Sequence, residues 1–70
     1  MTEKEVSERR RLWLQEQLTA KRMVDRDVAL RSRCALSQIR MWLDGSRPIS
    51  ATVLQELAAV ASLEPPVDFL

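Results

Sequence analysis

The only glycine of the chain is Gly45, and all three prolines, at 48, 65 and 66, lie beyond it. The first 44 residues therefore lack the two residues that most readily punctuate a chain, and they must turn by other means. Gly45 closes the stretch LSQIRMWLDGSR, residues 36–47. Leu36, Ile39, Trp42 and Leu43 fall there at i, i+3, i+6 and i+7, one apolar stripe of a helix, while Ser37, Gln38, Arg40 and Met41 lie off the stripe. Glycine and then Pro48 stop that helix, so its polar outer face is short and well bounded.

The rest of the chain reads as helices too. Thr2 and Glu5 have capping-box spacing, and nothing breaks a helix from there to about Lys21; Val6, Trp13, Leu14, Gln17 and Leu18 form its loose apolar stripe. Asp25 is the expected cap of a second helix through about Ser32, with Val28 and Ala29 inward, and Cys34 and Ala35 fill a tight turn before the third. Ser50 is a good cap for a fourth helix from about Ala51 to Ala61, burying Val53, Leu54, Leu57, Ala58 and Ala61 before Pro65 and Pro66. The tail from Pro66 to Leu70 has room for one further turn. No segment alternates apolar and polar residues as a strand would. The expectation is one all-α domain over residues 1–70, a compact bundle of four to five helices.

A single cysteine and no histidine leave neither a disulfide framework nor a metal-ligand set. The charged start of the chain and the absence of a long apolar run predict a cytoplasmic protein with no membrane span. Charge is unevenly placed: all 11 basic residues lie in residues 1–47, which balance to +4, whereas residues 48–70 carry three acids and no base. That asymmetry suits a polyanion on one side of the molecule, although arginine-rich helices are often only solvated faces.

A short helix, a tight turn and a helix with a polar outer face place a recognition helix in the major groove in many DNA-binding domains. Val28, Ala29, Cys34, Ile39 and Trp42 fall at the spacings of the helix-turn-helix domains of the phage Cro and repressor type, the XRE family, and the stretch from Gly45 to Pro48 resembles that family's loop after the recognition helix. LTAKRM resembles the end of the family's first helix, ISATVLQELAAVASL its fourth, and VDFL a last turn that often carries dimer contacts. The resemblance spans nearly the whole chain and puts the motif at about residues 25–44. Two positions depart from it. Arg33 stands where the family usually has glycine, which predicts a looser turn. Ala35 stands where a polar cap is usual, which raises Ser37 as the alternative start of the third helix.

The resemblance and the outer face of the third helix together nominate residues. Arg40 is the leading base contact, since arginine pairs bidentately with guanine O6 and N7; a phosphate contact is the rival reading. Ser37 and Gln38 reach base edges or phosphates, Leu36 gives an apolar contact if the helix begins early, and Met41 either meets a thymine methyl or borders the core. Arg47, Ser46, Arg26, Arg31 and Arg33 are the expected phosphate contacts, while Arg9, Arg10 and Arg11 read as solvation of the first helix. Trp13 and Trp42 sit on apolar stripes and read as core, and Cys34 as a small turn residue rather than a redox switch. Leu54, Val67, Phe69 and Leu70 are the expected homodimer contacts.

The function so implied is a sequence-specific regulator of transcription, a dimeric repressor that binds double-stranded DNA at an inverted-repeat operator and acts by steric exclusion. Phage Cro-like repressors, antitoxins and the autorepressors that accompany anti-CRISPR genes all fit, and the sequence does not choose among them. The competing class is a helical protein-interaction module whose basic face meets an acidic protein. Enzymatic activity is not expected, because no histidine and no recognisable pair of converging carboxylates is present, and neither a cofactor nor a small-molecule ligand is implied.

Overall fold

In the computed structural model, which describes all of residues 1–70, Thr2 begins the first helix as its spacing predicts. The Glu5 backbone N–H donates to Thr2 Oγ1 at 3.2 Å, and the Thr2 hydroxyl donates to the Glu5 carboxylate at 3.0 Å. Four helices follow in order: α1, Glu3–Ala20; α2, Asp25–Ser32; α3, Leu36–Asp44; and α4, Ala51–Val60, with a 3-10 turn at Val67–Phe69. The fold is all-α, without strands. No helix is long and apolar enough to cross a membrane.

At ~1.5 Å per residue α1 is ~27 Å long, close to the 32 Å long axis of the molecule. It lies along α3, α4 and the final turn, and α2 packs on both α3 and α4. The core draws Leu14 and Leu18 from α1, Val28 and Ala29 from α2, Ile39 and Trp42 from α3, and Leu54, Leu57, Ala58 and Ala61 from the α4 segment. Ile49 joins them from the loop. It precedes the Ser50 cap, whose Oγ accepts from Val53 N–H at 3.2 Å, so Ile49 and Leu54 occupy the two positions of a hydrophobic staple, both buried.

One helix start differs from expectation, and the alternative left open at another is decided. Val24, not Asp25, caps α2: its backbone N–H donates to Asp27 Oδ2 at 3.1 Å, and Asp25 is already the first helical residue. Asp25 and Asp27 still suit the positive end of the helix dipole. Ser37 does not start α3, which begins at Leu36 with Ala35 in extended conformation as the flanking residue. The Ala35 carbonyl accepts from both Gln38 and Ile39 N–H at 3.1 Å, so the backbone alone closes that end.

The turn after α2 is tight despite lacking glycine. Arg33 takes the left-handed conformation at φ 58° and ψ 30°, and Cys34 N–H donates to the Ala29 carbonyl. Arg22 and Ser62 do the same after α1 and α4. Only α3 ends on glycine: Gly45 has φ 87°, and a Cβ there would come within 3.3 Å of the Arg11 side chain.

The dimer contacts expected from sequence are corrected at Leu54. Leu54 is fully buried within the monomer and offers no surface. Phe69 is half-buried rather than free: its ring lies 6.1 Å from that of Trp13, with the Arg9 guanidinium 5.4 Å from its centroid.

Candidate nucleic-acid interface

The rotation of α3 is set by Ile39 and Trp42, which are buried. Its opposite face then carries Ser37, Arg40, Met41 and Asp44, all exposed and spaced as neighbours on a helix. Met41 is 47% exposed and is not among the side chains packed against the core. Gln38 and Leu36 are half-buried and flank this face. Ser37, Arg40 and Met41 are therefore brought together as the spacing suggested, with Leu36 and Gln38 at the margins.

Leu36 lines an open depression shared with Arg26, Ala29, Leu30, Arg33 and Cys34 of α2 and the turn. Arg26 and Arg33 thus stand exposed beside the start of α3. Arg47 is exposed beyond the other end, and its backbone N–H is fixed by the Met41 carbonyl at 3.0 Å. Ser46 lies beside it, exposed, with its N–H given to Asp44 Oδ1 at 2.7 Å. Arg31 does not join this group. Its Nη1 points to the Val60 carbonyl of α4 at 3.5 Å, and Lys21 Nζ takes the next carbonyl, Ala61, at 2.6 Å, so both cations serve the negative end of α4.

Acids are interleaved with these arginines, among them Asp25, expected only as a cap, and Asp44. Arg40 Nε donates to Asp25 Oδ2 at 2.9 Å, an ion pair across α2 and α3. The Arg40 guanidinium, seconded by the Arg26 N–H, holds the Asp25 carboxyl below its usual range. Asp44 falls on the outer face of α3 at i+4 from Arg40, a position its spacing alone reveals. Ser46 holds the Asp44 carboxyl low through its hydroxyl and then its N–H. Between residues 25 and 47 five arginines meet three aspartates, which leaves a modest positive balance.

Arg10 of α1 is structural, contrary to the reading that it merely solvates the helix. Arg10 donates from Nε to the Phe69 carbonyl at 2.5 Å and from Nη1 to the Ile49 carbonyl at 3.0 Å. Arg11 pairs with Glu8, and Gln15 donates to the Leu43 carbonyl at the end of α3. Ser7 Oγ accepts from Ile49 N–H at 2.7 Å. The polar side of α1 is thus the frame on which the loop after α3 is hung, and that loop carries Ser46 and Arg47.

No three His, Cys, Asp or Glu side chains converge as a metal site would require. No protein-family model matches the chain, and neither a curated protein nor a solved structure does.

Proposed function

We propose that the protein binds duplex DNA sequence-specifically, with α2 and α3 as a helix-turn-helix and α3 as the helix that enters the major groove. The observation that carries the reading is the outer face of α3, where Ser37, Arg40 and Met41 are exposed together on a helix whose rotation Ile39 and Trp42 fix. These side chains supply a guanine-reading fork, a hydroxyl and an apolar contact for a thymine methyl. Arg26, Arg33 and Arg47 bracket that face at both ends and hold phosphates, while Ser46, engaged by Asp44, does not. Binding as a homodimer to an inverted repeat, and repression by occupying a promoter, complete the proposal. The dimer contact falls on Val67 and Leu70, which are 85% and 45% exposed.

The test is the affinity for a random-sequence duplex as a function of salt. Three arginine–phosphate contacts per protomer give a slope of log K against log salt of roughly −3 per protomer. A second reading has its own support: Leu30, 81% exposed, stands between Arg26 and Arg33 in the depression beside α3, an arrangement that fits an acidic protein segment with an apolar anchor. Absence of salt-dependent DNA binding favours that reading.

A further inference from the structure

We propose that Asp25 is the positioning residue that gives this surface its base choice, by aiming Arg40 at a guanine and turning it away from phosphates. The inference rests on the DNA-binding reading above and names the base that the site selects.

The geometry is a relay from backbone to fork. The Arg26 backbone N–H donates to Asp25 Oδ1 at 2.8 Å, which orients the carboxylate against the first turn of α2. Its other oxygen, Oδ2, takes Arg40 Nε at 2.9 Å. Arg40 is thereby held at two points, its own Cα on α3 and its Nε from α2, although its side chain is 55% exposed. An arginine on a solvated helix face otherwise samples many rotamers, and ordering it on contact weakens binding. Nη1 and Nη2 have no partner within the protein, and they carry the four N–H groups that remain for a ligand. With Nε occupied, the end of the fork is what projects, the geometry that matches guanine O6 and N7.

Charge adds a second effect. The Asp25 carboxylate stands beside the guanidinium, so a phosphate approaching Arg40 is repelled by a fixed negative charge far more than a neutral guanine edge is. Asp44, the other acid facing this part of α3, lines a second open depression with Asp25, Arg40, Gln15 and Leu43 but is engaged by Ser46. Asp25 is therefore the acid that acts on Arg40, and it lowers affinity for DNA in general while raising discrimination.

The experiment compares the full chain with D25A, D25N and R40A on the preferred duplex, on duplexes changed at each base pair in turn, and on a random duplex, with circular dichroism confirming the fold. R40A is expected to erase preference at one G·C pair. D25A is expected to reduce preference at that same pair by roughly tenfold while binding the random duplex more tightly. D25N, which keeps an oxygen for Nε but not the charge, is expected to retain most of the preference and share the tighter random binding. The double variant D25A/R40A should lose no more preference than R40A alone. Full preference retained in D25A at the pair that R40A erases would overturn the inference and leave the DNA-binding reading standing. A wild-type chain that binds no duplex with preference would overturn both.

Discussion

Arg33 shows what a single residue contributes to this fold. It holds φ 58°, a conformation that strains any side chain bearing a Cβ, yet the turn closes because Cys34 N–H reaches the Ala29 carbonyl. Ser62 is in the same state after α4. Glycine relieves the strain and gives back part of the gain as unfolded-chain entropy, so R33G and S62G should each stabilise by ~0.5–1 kcal/mol in urea denaturation. R33G should also weaken DNA binding, whereas S62G should not; equal effects of the two on binding would remove Arg33 from the interface. Glu8, Asp25 and Asp44 act at the same scale. Arg11, Arg40 and Ser46 respectively hold their carboxyls below the usual range, so each contributes stability that is fully present above that range and lost as pH falls through the lower folded value. The melting temperature should therefore fall from about pH 4 downward. All three groups are solvated, so added salt should flatten the fall, and a melting temperature unchanged to pH 2 would contradict these pairings.

Among the elements, α1 is the one whose work is least visible in its residue pattern. Leu14 and Leu18 are its only buried side chains, and polar groups that bind distant carbonyls, Arg10 and Gln15, add to their hold on the rest. Arg10 joins three segments, so R10A should cost roughly 2 kcal/mol by leaving the Ile49 and Phe69 carbonyls without their charged donor. A neighbouring R9A should cost less, and a reversed order in chemical denaturation would contradict this assignment. The contrast explains which features could be read in advance. Thr2, Gly45, Pro48 and Ser50 mark helix ends through chemistry that lies within a few residues, and the stripes of α3 and α4 state their own burial. Asp25 was misplaced by one position because aspartate suits both the cap and the first turn. The start of α3 was ambiguous because the Ala35 backbone does what a polar side chain usually does. Arg10 and Ile49 were illegible for a different reason: their partners lie 59, 39 and 42 residues away along the chain. The outer face of α3 was legible as spacing, but its pairing with Asp25 required knowing how α2 and α3 meet.

The whole molecule brings the basic segment and the acidic segment of the chain into one small body with exposed apolar residues at its end. Val67 and Leu70 remain uncovered after Phe69 has packed on Trp13, and they suit an isologous contact between two copies. V67E and L70E should leave helical content unchanged, since both side chains are exposed, and should halve the mass seen by sedimentation. An unchanged sedimenting species would place the contact elsewhere. In the proposed dimer a two-fold axis through that contact would relate two α3 helices, each protomer reading one half-site. The most direct measurement is selection of bound sequences from a random duplex pool by the wild-type protein. The account predicts an enriched inverted repeat with half-site centres about 10 base pairs apart or a multiple of that, and a guanine in each half whose enrichment disappears with R40A. A pool that emerges from selection as random as it began would contradict it.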